Sequence, residues 1–168
     1  MKLAIIMSGM LANFEHTYVA TKKFILNDPF FESTDIFFAG YSGSLSVEVA
    51  EKIFVNLYKP KRYIIEEWSE DIKKSIEIKT GCHLWPRELN HKGNITNTMS
   101  MWRCRYLANQ MRLEYQKLNN IEYDLVYNLR ADLFFFDEID KNIAKASKKN
   151  LNAVYVPADW DFKSLNPK

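Results

Sequence analysis

The sequence predicts an α/β fold in which a mostly parallel sheet is covered by helices on both faces. Two observations carry this prediction. Short apolar runs typical of buried strands alternate with longer segments of helical periodicity. The segments between successive strands are long enough for the helical crossovers that parallel neighbours require. At 168 residues the chain has the length of one domain, and we expect residues 1–168 to form a single one.

The first half of the chain predicts three strands and three helices. The apolar run at residues 3–7 predicts a buried first strand, which Ser8-Gly9 ends. Helical spacing of apolar residues predicts a helix over residues 15–26, and Asn27-Asp28-Pro29 stops it. Similar signals predict strands at 34–40 and 62–66, a helix at 47–57 that Ser46 can cap, and a polar helix at 69–80.

The second half continues the alternation. Residues 81–95 lack a clear period and predict a loop. The longest helix is expected to begin at Thr96 or Thr98 and to end near residue 118, before Asn119-Asn120. The remaining predicted elements are a strand at 123–129, a short helix at 137–146 and a strand at 151–156.

Composition excludes several classes of protein. Lys plus Arg is 23 and Asp plus Glu is 21, so the net charge of +2 argues against a protein built to bind nucleic acid. No run of about 18 apolar residues is present, and we expect no transmembrane segment. Cys82 and Cys104 make no disulfide framework, which favours reduced thiols and a cytoplasmic location.

Ligands of parallel α/β sheets bind outside the carboxyl ends of the strands. The first candidate segment there is residues 8–14, between the first strand and the first helix. Gly9 permits a close backbone approach, and free N–H groups at the start of a helix can bind a phosphate. An ordinary strand–helix turn is the alternative interpretation.

The second candidate is Arg130 with Asp132, where two charges follow an apolar strand. A carboxylate can bind a divalent cation that in turn binds a diphosphate, and a guanidinium matches the geometry of phosphate. A surface ion pair is the alternative. The third candidate, Asp159-Trp160-Asp161, offers two carboxylates that can converge on one cation, or else a solvated acidic loop.

Other chemistry finds little support in the sequence. The three histidines are not at zinc-ligand spacing, and neither a Walker A motif nor a G-x-S-x-G elbow is present. Arg105 and Arg112 are seven residues apart on one face of the longest predicted helix. They either point at an anionic ligand or are ordinary surface charges.

Four patterns in the chain together resemble a known family. Residues 8–14 are similar to a Ser-Gly-x-x-Arg-Asn-Phe/Tyr turn of that family, with Ala12 in the place of Arg. Residues 58–63 are similar to the family's Tyr-Asn/Lys-Pro-Lys-x-Tyr pattern, which leads into the third strand. Ser100-Met101-Trp102 resembles the start of its long helix. Residues 123–135 match Tyr-Asp-x-Val-x-x-x-Arg-x-Asp-Leu-x-Phe. The chain thus resembles small GT-A-type glycosyltransferases of bacteria and large DNA viruses.

The resemblance implies a GT-A-like nucleotide-sugar-binding domain, a nucleoside diphosphate sugar donor, and Mn²⁺ or Mg²⁺ as cofactor. It implies hexosyltransferase-like transfer of a sugar to a hydroxyl of a glycan or of a lipid- or protein-linked acceptor. Ser8, Gly9 and Asn13 would line the nucleotide pocket. Arg130 would contact the diphosphate or donor sugar, and Asp132 would be the D-x-D-like carboxylate that binds the metal.

The resemblance also bears on the acceptor side of the reaction. A GT-A domain usually continues beyond a fifth strand, so we expect a chain truncated at its C-terminus, a minimal member of the family, or one module of a larger protein. In an inverting enzyme an acidic side chain would deprotonate the acceptor hydroxyl, and Asp159 and Asp161 are the catalytic candidates. A retaining enzyme would not need a base at that place, and the sequence leaves the stereochemistry open. The alternative function is a degenerate module that binds a nucleotide sugar or glycan without turnover, which Ala12 and the short C-terminus favour.

Overall fold

The computed structural model describes residues 1–81 and 95–133. The helix predicted at 137–146, the strand predicted at 151–156 and most of the loop predicted at 81–95 lie outside these ranges. The described elements, in chain order, are β1 (Lys2–Met10), α1 (Phe14–Thr21), β2 (Ser33–Tyr41), α2 (Val47–Tyr58), β3 (Arg62–Glu66), α3 (Glu70–Thr80), α4 (Ile95–Asn119) and β4 (Leu125–Arg130).

The four described strands form one parallel sheet in the order β3-β2-β1-β4. The chain therefore moves outward from β1 through β2 to β3, then returns across the sheet to place β4 on the other side of β1. Helices α1 and α2 pack on one face of the sheet, and α4 packs on the opposite face. The predicted α/β fold, with a parallel sheet covered on both faces, is confirmed for this part of the chain.

Alternation along β1 and β2 builds two cores. Leu3, Ile5 and Met7 of β1 are buried in the core beneath α1 and α2, whereas Ile6 is buried in the core beneath α4. On β2, Phe38 packs against Phe54 of α2, with ring centroids 4.4 Å apart. Such tilted aromatic pairs contribute about 0.5–1.5 kcal/mol beyond the burial of their area.

The helices begin and end at residues suited to those positions. Ser46 accepts a hydrogen bond from the Val49 N–H at the start of α2, which confirms the predicted cap. Gly81 ends α3 in the left-handed conformation. The helix predicted at 15–26 is α1 followed by one π-helical turn, Lys22–Leu26, so helical structure continues with a different hydrogen-bond spacing.

The fourth strand begins two residues later than predicted and ends at Arg130. Tyr123 and Asp124, which precede it, are used in tertiary hydrogen bonds instead. The Tyr123 hydroxyl donates to Asp35 at 2.7 Å, and an Asp124 carboxylate oxygen accepts from the Lys2 N–H at 2.7 Å. These bonds fix the start of β4 against β1 and β2.

Two glycines allow β1 and β2 to approach closely at their carboxyl ends. Gly9 and Gly40 are register partners. Gly9 has a φ of +110°, a conformation that residues with a side chain rarely adopt. A Cβ at Gly40 would overlap the carbonyl oxygen of Gly9. Gly40 is thus required for the close approach of the two strands, and Gly9 for the backbone conformation at the end of β1.

Candidate functional site

A crevice is expected between β1 and β4, outside their carboxyl ends. The chain leaves β1 through α1 on one face and reaches β4 through α4 on the other. Where the winding direction of a parallel sheet reverses in this way, the loops after the two strands diverge and leave space for a ligand. The two predicted segments within the described residues, 8–14 and 130–132, both lie at this point.

Ser8 and Arg130 are register partners across β1 and β4. Ser8 lies two residues after Ile6, so the side chains of Ser8 and Arg130 point to the face covered by α4. Ser8 is fully buried, and within the described ranges its Oγ has no hydrogen-bond partner. Leaving a buried hydroxyl unsatisfied costs about 1–3 kcal/mol. A polar ligand group at the crevice would remove this cost.

Arg130 and Asp132 form a two-bond ion pair at the end of β4. Arg130 donates to the two carboxylate oxygens of Asp132 at 2.9 and 2.6 Å, and these bonds raise the pKa of the guanidinium. The side chains are 44% and 27% exposed, so solvent screens the pair. Partly exposed pairs contribute about 0–1 kcal/mol. Both groups are therefore available to exchange partners with a charged ligand at low energetic cost.

Asp132 is the described carboxylate that fits the predicted metal role. In the part of the chain that the structure describes, no group of three or more His, Cys, Asp or Glu side chains is placed to hold a metal ion. Mg²⁺ sites in phosphate-binding proteins commonly use one or two carboxylates and take their other ligands from substrate phosphates and water. A single carboxylate beside a diphosphate site is compatible with such a cation.

Asn13 lies at the start of α1, in the left-handed conformation with φ +56°. Asparagine tolerates this conformation better than most residues. Its backbone carbonyl accepts from the N–H groups of His16 and Thr17, but its exposed side chain makes no capping bond. The Asn13 side-chain amide is thus exposed at the start of α1, in the loop that follows β1.

The structure distinguishes the two arginines whose role the sequence leaves open. Arg112 donates to Asn109 and Gln116 on its own helix. Arg105 stacks on Trp102 with its Cζ 5.1 Å from the ring centroid, and its buried Nε has no partner among the described residues. Arg105 also lies two helical turns closer to the start of α4, which overlies the carboxyl ends of the strands.

A second polar cluster lies at the carboxyl ends of β2 and β3, and sequence reasoning missed it. Arg103 donates to both carboxylate oxygens of Glu66, at 2.5 and 3.0 Å, and to the Tyr41 hydroxyl at 3.4 Å. Tyr41 also interacts with the Cys104 thiol and packs against the edge of Trp68. The available signal was that Glu66 ends a predicted strand, but nothing in the sequence pairs it with Arg103.

Burial controls the protonation of this second cluster. It raises the pKa of the Cys104 thiol, which is 1% exposed, so the thiol stays protonated and is not a nucleophile at neutral pH. It also raises the pKa of Tyr41 to about 12. The cluster thus has the properties of a fixed structural group at the carboxyl ends of β2 and β3.

Two of the predicted site residues are not described. Asp159 and Asp161 lie outside residues 1–81 and 95–133.

Comparisons of the chain with known proteins identify no family for it. No protein-family model matches the chain, and neither the curated proteins nor the solved structures give a significant match. Among the described helices, none has both the length and the apolar character that a membrane span requires.

We expect the buried Tyr41 phenol to make stability depend on alkaline pH. An unfolded tyrosine ionises near pH 10, but folded Tyr41 resists ionisation until about pH 12. Its contribution is complete below the lower value and is lost as the pH rises through the higher one. Between about pH 9 and about pH 11, urea unfolding should show the wild type losing about 1 kcal/mol more than Tyr41→Phe.

Tyr106, an exposed tyrosine on α4, the helix that packs over Tyr41, provides the control. Tyr106→Phe should follow the pH dependence of the wild type. Parallel pH dependences for the wild type and Tyr41→Phe would contradict the assigned burial effect.

Proposed function

We propose that the chain is a glycosyltransferase that binds a nucleoside diphosphate sugar in the crevice between β1 and β4. The observation that supports this most strongly is the pairing of Ser8 with Arg130 across β1 and β4, the two strands at which the winding direction of the chain reverses. It brings together a buried, unpartnered hydroxyl, a guanidinium and the Asp132 carboxylate. This set suits a ligand that carries both hydroxyl groups and a diphosphate.

The ion pair supplies both charges that a diphosphate with a divalent cation requires. The guanidinium of Arg130 turns from Asp132 to the diphosphate oxygens, for which its planar donors are well matched. The carboxylate of Asp132 is then freed to hold Mn²⁺ or Mg²⁺. The anionic diphosphate would pair with the guanidinium and the cation with the carboxylate, so neither charged group would be left unpaired after the exchange.

The same charges favour sugar transfer. As the acceptor oxygen bonds to the anomeric carbon, the bond from that carbon to the diphosphate breaks and negative charge develops on the leaving oxygen. Arg130 stabilises this charge where it develops. A cation held by Asp132 would add Lewis-acid stabilisation of the same leaving group. In an inverting enzyme, either Asp159 or Asp161 is proposed to accept the proton of the acceptor hydroxyl on a glycan or a lipid- or protein-linked acceptor.

The nucleoside is proposed to lie along the loop after β1. Ser8 and Gly9, which the sequence placed after the first strand, lie within the last residues of β1, and Asn13 lies in the loop that follows. The N–H groups at the start of α1 favour a nearby anion. Arg105 adds a further donor, since its Nε has no partner within the described ranges. A cytoplasmic location suits this function because the buried Cys104 thiol is then kept reduced.

A module that binds a nucleotide sugar or glycan without turnover is the second candidate. Two observations favour it: Ala12 stands where the resembled turn carries Arg, and Asp132 is already paired through both of its oxygens. Donor hydrolysis with Mn²⁺ separates the two functions. An enzyme should release UDP or GDP from at least one sugar donor, whereas folded protein that binds a donor and releases neither would be the non-catalytic module.

Metal-dependent nucleotide binding tests the site itself. In a thermal-shift screen, a nucleoside diphosphate with Mn²⁺ should raise the Tm of the wild type, because a ligand that binds the native state stabilises it by mass action. Asp132→Asn should abolish the part of the shift that depends on Mn²⁺ and weaken binding in calorimetry by at least about tenfold, the usual scale for losing a charged contact.

Glu122→Gln is the matched control, because Glu122 is an exposed carboxylate just before β4, at the amino ends of the strands and away from the proposed site. It should bind as the wild type does. If Asp132→Asn kept the full Mn²⁺ dependence while folding normally, the assignment of Asp132 would be wrong.

A further inference from the structure

We propose that Thr17 is a positioning residue that holds the turn between Arg130 and Asp132 from the face of the sheet opposite to their side chains. The inference deepens the proposed function and rests on it, because the turn carries the two charges assigned to the diphosphate and the cation. Thr17 lies on α1, 114 positions before the residue that it contacts.

The contact is buried and specific. Thr17 is fully buried, and its Oγ1 lies 2.5 Å from the carbonyl oxygen of Ala131 and 3.0 Å from that of Phe14. Ala131 is itself only 2% exposed and stands directly between Arg130 and Asp132. Its peptide orientation therefore sets the separation of the two charged side chains.

A neighbouring tyrosine directs the Thr17 proton to the turn. A threonine hydroxyl has one hydrogen to donate, so it can fully satisfy only one of the two carbonyls. The Phe14 carbonyl also accepts from the Tyr58 hydroxyl at 3.2 Å. The Tyr58 oxygen also contacts the Thr17 hydroxyl. Of the two carbonyls, that of Ala131 is the nearer at 2.5 Å, and we assign the Thr17 hydrogen to it. The turn is thereby tied to both α1 and α2.

The geometry of the ion pair depends on this anchor. Beyond the end of β4, the one backbone bond described for the turn is from the Leu133 N–H to the Arg130 carbonyl, at 3.4 Å. That length is beyond the usual 2.7–3.2 Å of a backbone hydrogen bond. Without the Thr17 contact, Ala131 would be held mainly by its own burial, and the two-bond pairing of Arg130 with Asp132 would loosen.

The chain offers a matched control in Thr21, one turn further along α1. Thr21 is 2% exposed, and its hydroxyl donates to the Thr17 carbonyl at 3.0 Å. It has the same chemistry and burial as Thr17, and its hydroxyl also contacts that of Tyr58, but among the described residues no bond joins Thr21 to the turn. Loss of either hydroxyl should lower global stability similarly, whereas only the loss at position 17 should affect the turn.

The experiment compares Thr17→Val, Thr17→Ser and Thr21→Val in the full chain. Hydrogen exchange at the Asp132 and Leu133 amides reports opening of the turn, and calorimetry with Mn²⁺ and UDP or GDP reports ligand binding. Thr17→Val should accelerate exchange at these amides, and weaken nucleotide binding, by about fivefold to tenfold relative to Thr21→Val, the effect of one lost hydrogen bond. Thr17→Ser, which keeps the hydroxyl, should restore both. If valine prevents folding, Thr17→Ala removes the same hydroxyl.

The outcomes separate this inference from the function on which it rests. Equal exchange and equal affinity in Thr17→Val and Thr21→Val would overturn the positioning role, even where the wild type binds nucleotide. Accelerated exchange in Thr17→Val, restored by Thr17→Ser, supports the anchoring of the turn. If the wild type then bound neither UDP nor GDP, the proposed function would fail while the anchor stood.

Discussion

Burial of β1 on both faces and along both edges is the constraint on which the rest of the structure depends. Residues 3–8 of this strand are at most 3% exposed. A parallel strand this apolar needs a helical layer on each face of the sheet. The chain meets that need by winding in one direction through α1 and α2 and in the other through α4. The crevice expected beside Ser8 and Arg130 follows from this reversal.

Polar groups gather where the apolar strands end, and neighbouring elements hold them in place. Arg103 with Glu66 and Arg130 with Asp132 are both two-bond pairs at the carboxyl edge of the sheet. In the first pair, Arg103 also donates a hydrogen bond to Tyr41, which holds the pair in a fixed position. The second is more exposed, and a charged ligand can compete for it. This contrast fits a supporting role for the first pair and the binding role that we propose for the second.

The sequence was sufficient to predict much of the fold, because the strands are short apolar runs and the helices carry caps such as Ser46. It also predicted Ser8, Gly9, Arg130 and Asp132 as site residues, from the rule that ligands bind beyond strand ends. It could not show that β4 lies beside β1, since strand order depends on tertiary packing. For the same reason, the sequence could not predict two further contacts. One joins Arg103 to Glu66, 37 positions away, and the other joins the Thr17 hydroxyl to the Ala131 carbonyl, 114 positions away.

Paramagnetic broadening by Mn²⁺ tests the central claim most directly, because it locates the cation on the fold without relying on turnover. In ¹⁵N-labelled protein with UDP or GDP, trace Mn²⁺ should broaden the amide signals of Gly9, Arg130 and Asp132 well before those of Ser33 and Leu125, at the amino ends of their strands. Mg²⁺ serves as the diamagnetic control. Broadening centred on the amino ends, or unchanged by the nucleotide, would contradict a diphosphate site between β1 and β4.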